Sequence, residues 1–118
     1  MRSFVESILL RIFLGEDDRA GSRPLYEHIV KLAREHGLAG ATVLRGSLGF
    51  GRSSRLHHEG VLRLSSDLPM VVEIVDREEA IASFLPKLDG LSASMLITVE
   101  KVRVLRDGPG VSDELNDS

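Results

Sequence analysis

Two hydrophobic periods alternate along this chain, and their order leaves few ways to fold it. From Glu6 to Leu14, Ile8, Leu10, Ile12 and Leu14 fall on one side and Leu9, Arg11 and Phe13 on the other, the alternation of a strand whose second face is partly covered. After a polar stretch from Gly15 to Arg23, Pro24 opens a helix. Its stripe is Leu25, Ile29, Leu32, Ala33 and His36, and Gly37 supplies a left-handed stop. Strand patterns follow at Ala41 to Phe50 and at Leu62 to Val75, with an irregularity at Ser65 to Pro69. Pro69 cannot donate to a ladder, so it marks a strand start, an edge or a bulge. Asp76 and Glu79 read as a capping box for a second helix with the stripe Ile81, Phe84, Leu85 and Leu88, its last turn weakened by Pro86. Met95 to Arg106 is the last strand. Its alternation slips from Ile97 and Val99 to Val102 and Val104, which implies a bulge or a strand that leaves its own core and is covered by a neighbouring subunit.

The order β-α-β-β-α-β predicts an α+β, ferredoxin-like antiparallel sheet with two helices on one face. A chain of 118 residues supports one such domain, expected over residues 1–107. Residues 108–118 form a polar, acidic tail expected to be mobile. The helix-free face, with Leu9 and Phe13, is too apolar to be fully wetted, so association that covers it is expected. Aromatic residues make up only 4% of the chain and net charge is −3, which argues against a base-stacking surface and against nucleic acid as a partner. Without cysteine there is no disulfide, thiolate zinc site or cysteine nucleophile, and a reducing compartment is suited. Ile8-Leu9-Leu10 is short and interrupted by Arg11. It reads as neither a signal peptide nor a membrane span, and a cytoplasmic location is expected.

Chemistry concentrates after the first helix. Gly40-Ala41-Thr42-Val43-Leu44-Arg45-Gly46-Ser47-Leu48-Gly49-Phe50-Gly51 is a β-prone run ending in glycines, followed by Arg52, Arg55, His57 and His58. Glycines at 46, 49 and 51 would let backbone amides approach a ligand, and the guanidinium groups would neutralise phosphate. Residues 41–63 carry four arginines against Glu59 alone, on an otherwise acidic body. That asymmetry favours a small anion or a particular acidic partner; the plainer reading is a solvated hairpin. His57 and His58 are adjacent and point apart on an extended segment, which suits solvated histidines better than metal ligands. His28 and His36 flank the helix stripe. Glu16, Asp17 and Asp18 offer carboxylates to a hard cation or, beside Arg19 and Arg23, form a solvated loop with local ion pairs. Ser47, Ser53 and Ser54 near His57 lack a nucleophile-elbow pattern, so no enzyme is expected.

Several runs in matching order carry a resemblance. Gly40-Ala41-Thr42-Val43 followed by Gly49-Phe50-Gly51-Arg52 resembles the signature at which the second strand of PII signal-transduction proteins enters the T-loop. Gly15-Glu16-Asp17-Asp18, Leu25-Tyr26-Glu27, Gly46 to Gly51, Asp67-Leu68-Pro69 and Glu73-Ile74-Val75-Asp76 are similar to runs of the PII-like group called domain of unknown function 190. The resemblance covers about residues 4–107 and implies a homotrimeric sensor that binds an adenine nucleotide (AMP, ADP or ATP) in clefts between subunits. It further implies a protein partner, of the membrane transporter or channel kind, reached through the basic loop. The resemblance implies Thr42 near the adenine, Gly51 near the phosphates with Phe50 and Arg52 beside it, and Arg106 at the phosphates; Gly49, Arg55 and Arg103 complete the expected nucleotide-binding set. Arg106 matches a PII arginine, whereas Val104 stands where the second would be and Arg103 is one residue off. The PII phosphate loop is shortened to Asp89-Gly90-Leu91-Ser92-Ala93-Ser94, with Lys87 out of place, and the T-loop tyrosine is missing. The alternative is a metal-binding trimer resembling cation-tolerance proteins; no metal ligands are assigned.

Overall fold

In a computed structural model, which describes residues 2–50 and 67–107, the first strand runs the whole of Arg2–Gly15 (β1). Leu10, Ile12 and Leu14 are buried on its helix side, as the alternation requires. The polar stretch that follows contains a minute hairpin, Arg19–Ala20 (β2) with Arg23–Pro24 (β3), which the sequence did not suggest. Helix α1 spans Leu25–His36 behind Pro24, and Leu25, Ile29 and Ala33 are its buried stripe. Gly37 ends it at φ 87°, its N–H meeting the carbonyls of Ala33 and Arg34. Then come Thr42–Arg45 (β4), Pro69–Asp76 (β5), Glu78–Phe84 (α2), a 3₁₀ turn over Leu85–Leu88, and Leu96–Asp107 (β6). Pro86 sits in that turn, where its missing N–H removes an α-helical bond.

Antiparallel pairing gives the sheet order β4-β5-β1-β6, the ferredoxin-like arrangement predicted. The core is aliphatic apart from Met70 and Phe84: Leu10, Ile12, Leu25, Ile29, Val72, Ile74 and Ile81 all lie within it. Among the described residues, no helix is long and apolar enough to cross a membrane. On the helix-free face Leu9, Phe13 and Val71 are half-buried and Leu44, Val75 and Leu96 exposed. Arg11 lies among them, its Nε 2.8 Å from Glu73 Oε2 and an Nη 3.1 Å from Glu100 Oε1.

Three expectations are corrected. The capping box is absent: Arg77, not Asp76, precedes α2, with no side-chain cap. Asp76 is instead buried at 1% exposure, one carboxylate oxygen accepting from Arg77 N at 2.7 Å and the other from Ala39 N at 2.8 Å. It therefore ties the α1–β4 connection to the start of α2. β6 contains no bulge, because its register with β1 runs unbroken from Phe13↔Leu96 to Arg2↔Asp107. The phase slip is real but means that Ile97 and Val99 face the helix side while Val102 and Val104 face the other, on an edge strand that the helices leave exposed. Finally, β4 is shorter than the expected 41–50 and β5 starts at Pro69; residues 62–66 lie outside those described.

β1 meets β5 only from Ile8 onward, so Arg2–Ser7 and Val102–Asp107 form a two-stranded ribbon beyond the main sheet. The Asp76 tether generates a stability prediction. Asp76→Ala removes the acceptor of two amides and should cost roughly 2–4 kcal/mol in urea unfolding, while Asp76→Asn, retaining one acceptor, should cost clearly less.

Candidate functional site

β4 and β5 bring the two stems of the 46–68 segment together. Gly46 N donates to Pro69 O at 2.7 Å, the last rung after Arg45↔Met70. A Cβ on Gly46 would lie 2.8 Å from Pro69 Cγ, and one on Gly49 3.2 Å away. Close approach to a rigid pyrrolidine ring requires glycine at 46, while Gly49 combines a tighter-than-usual contact with a positive φ. The turn after β1 closes the root from a third side. Glu16 N donates to Leu68 O at 2.8 Å, Asp17 N to Asp67 Oδ1 at 3.2 Å, and Glu16 Oε2 lies 2.6 Å from Arg45 Nη2. Asp67 has φ 49°, a left-handed geometry that Asp tolerates. Burial, followed by the neighbouring acids Asp17, Asp18 and Glu16, pushes its carboxyl pKa up, against the lowering effect of the Asp17 amide.

The predicted residues separate into two groups. Thr42 is exposed on the helix-free face opposite Glu73, Gly49 sits against Pro69, and Phe50 is 74% exposed. Gly51, Arg52 and Arg55 lie outside the described residues, as do His57 and His58. Arg103 and Arg106 belong to the ribbon on the opposite sheet edge. Being three apart on a strand, they face opposite ways. Arg103 lies over the Phe4 ring at 4.3 Å, whereas Arg106, opposite Ser3, has a buried Nε with no hydrogen-bond partner among the described residues. A buried N–H of a guanidinium without an acceptor is costly and marks a place where an anion would be welcome.

Distance keeps the two groups apart within one chain. Thr42 pairs with Glu73, Glu73 with Arg11, and Arg11 lies eight positions along β1 from Ser3, the partner of Arg106. With β5 and β1 also between them, the separation is roughly 30 Å. No mononucleotide spans that gap.

Other candidates resolve locally. His36 packs on Phe84 with ring centroids 5.5 Å apart and its Nε2 meets Ser83 Oγ at 2.9 Å, a structural role. Among the described residues, no group of three or more His, Asp or Glu side chains is placed to hold a metal ion. Asp18 accepts from Gly15 N at 3.1 Å, and Glu16 pairs with Arg45 rather than with Arg19 or Arg23 as the sequence suggested. A cavity of about 500 Å³ lies at the C-terminus of α1, bordered by Val30, Ala33, Arg34, Leu38, Gly40 and Ala41. It is on the helix side of β4, with Ala41 and Val43, and Thr42 faces away from it. Sequence reasoning missed the Glu16–Arg45 pair; the acidic run and the lone arginine before Gly46 were the available signals.

Comparison with known proteins places these features in context. Residues 7–104 match the DUF190 family, described as Uncharacterized ACR, COG1993. A UPF0166 protein of Aquifex aeolicus (strain VF5) is 42% identical over 101 residues, covering 86% of this chain and 95% of that protein. Among solved structures, the apo form of CPII from Thiomonas intermedia K12, a nitrogen regulatory PII-like protein, superposes with a TM-score of 0.64 at 16% identity, over 91% of this chain and all of that one. CPII bound to ADP, AMP and acetate gives 0.62 at 17% identity, over 93% of this chain and 96% of that one. At such identity the likeness shows a shared PII-like fold.

The packing of Gly46 against Pro69 makes a direct prediction. Gly46→Ala should destabilise the protein by about 1–3 kcal/mol in chemical unfolding, and adding Pro69→Ala should recover part of that loss.

Proposed function

Because the chain belongs to the DUF190 family and has a PII-like fold, we propose that it is a regulatory protein that binds an adenine nucleotide, AMP, ADP or ATP, in clefts between the subunits of a homotrimer. The observation that carries this reading is the roughly 30 Å between Thr42 and Arg106. Two half-sites that one chain cannot join become one site when the β4 edge of one copy meets the ribbon of the next. Arg106 then finds an acceptor for its buried Nε, and the apolar helix-free face, with Leu44, Val75 and Leu96, supplies the area for association. That CPII binds ADP and AMP on the same fold supports the ligand class. Shortening of the loop at Asp89–Ser94 leaves fewer phosphate donors, so a mono- or diphosphate fits as well as ATP.

Signalling follows from the same architecture. A ligand at the root of the 46–68 segment touches the stem of the basic loop, and a loop whose states bind the ligand differently reports ligand level to a protein partner. Exposed Leu48 and Phe50 give such a partner an apolar foothold beside the arginines. A membrane transporter or channel is the partner class proposed, on resemblance.

Subunit mixing tests the composite cleft. Thr42→Val and Arg106→Gln should each weaken ADP binding, the arginine change by roughly tenfold to a hundredfold. Unfolding and refolding the two variants together should restore full-affinity binding at roughly a quarter of the clefts, because a mixed trimer joins an intact Thr42 to a neighbour's intact Arg106. Calorimetric titration of the mixture measures the recovered sites, and no recovery rejects the composite arrangement.

A further inference from the structure

Arg45 is a cation at the loop root, and among the described residues it pairs with Glu16. Its guanidinium lies 2.6 Å from Glu16 Oε2, yet its side chain is 56% exposed, so solvent and solutes reach it. Neighbouring acids are differently committed. Asp18 Oδ2 accepts from Gly15 N and Asp67 Oδ1 from Asp17 N, bonds to backbone that hold the turn's shape, whereas the Glu16 carboxylate, among the described residues, holds Arg45. An ion pair this exposed is readily exchanged, and a phosphate offers a guanidinium two parallel acceptors and more charge than a carboxylate.

We propose that Arg45, which ends the edge strand β4 on the opposite face from Thr42, is an exchangeable latch, paired with Glu16 in this structure and handed to the phosphate of a ligand that reaches around the β4 edge at the loop root. The inference rests on the nucleotide-binding reading and extends it to a residue outside the set implied by family resemblance. Geometry makes the exchange consequential. Glu16 joins the outgoing stem through Arg45 and the returning stem through Leu68 O, while Gly46 N and Pro69 O join the stems to each other. Transfer of Arg45 releases one of these ties and leaves the others in place. The outgoing stem then changes partner without the sheet losing a rung, so occupancy of the site alters the root of the 46–68 segment. Glu16 acts against the ligand in this scheme, as a competitor for the same guanidinium.

That competition gives opposite signs for two near-isosteric substitutions. ADP and inorganic pyrophosphate are titrated into wild type, Glu16→Gln and Arg45→Gln, with thermal unfolding of each protein as the control for folding. The latch predicts that Glu16→Gln binds both probes about threefold more tightly than wild type and Arg45→Gln about threefold or more weakly. Arg45→Lys, which keeps the charge but not the fork, should fall between Arg45→Gln and wild type. If pyrophosphate follows this order while ADP fails to bind, the latch stands and the nucleotide reading falls. If ADP binds all the proteins alike, the nucleotide reading stands and the latch is overturned. Should both Gln variants weaken binding together, Arg45 and Glu16 merely brace the turn, and the latch is overturned; if neither probe binds wild type, both ideas are.

Discussion

The pairing of β1 with β5 on one side and β6 on the other is the constraint on which the rest depends. Eight residues of β1, Ile8–Gly15, match Pro69–Asp76, and this register fixes which side chains enter the core: Leu10, Ile12 and Leu14 from β1, Met70, Val72 and Ile74 from β5. A slip of one residue would turn one of the two sets to the other face. The same register brings Gly15 level with Pro69, so that the acidic turn, the end of β4 and the start of β5 converge on one spot. Because β6 is joined to β1 alone, Arg103 and Arg106 are carried to the far edge and far end of the sheet. Strand order, more than any single contact, divides the basic residues between two places.

At the root of the 46–68 segment the two glycines have a plainer reason than the one first assigned to them. Pro69 leaves no room for a Cβ on Gly46, and Gly49 combines a tight contact with Pro69 and a φ of 153°. A position fitted so closely to its neighbour can still offer backbone amides to a ligand, but Gly46 N is already spent on Pro69 O. In the proposed reading, phosphate recognition therefore falls on groups beyond it and on Arg45, whose side chain is exposed, and Arg106, whose buried Nε has no hydrogen-bond partner among the described residues.

Legibility in the sequence followed the range of the interaction. α1 could be read to the residue because its apolar stripe, Pro24 and Gly37 are local signals that agree. Asp76 was misread because its second hydrogen bond comes from Ala39, 37 residues away, and a buried carboxylate with a distant amide looks like a helix cap in sequence. Glu16–Arg45 and Gly46–Pro69 were hidden for the same reason, since only the register brings them together. The opposed directions of Arg103 and Arg106 were available from their odd spacing on a strand, yet the resemblance had grouped them by their place in the chain. The slip between Val99 and Val102 was correctly noticed; its cause is an edge strand whose apolar residues change face, with no irregularity in the backbone.

The central claim is that one nucleotide is held by two chains. A crystal structure of the protein with ADP tests it most directly. The account predicts ADP at the 49–50 segment of one subunit with its phosphates reached by the Arg106 guanidinium of a neighbour. ADP bound wholly within one chain, or Arg106 turned away from the nucleotide in every subunit, would contradict it.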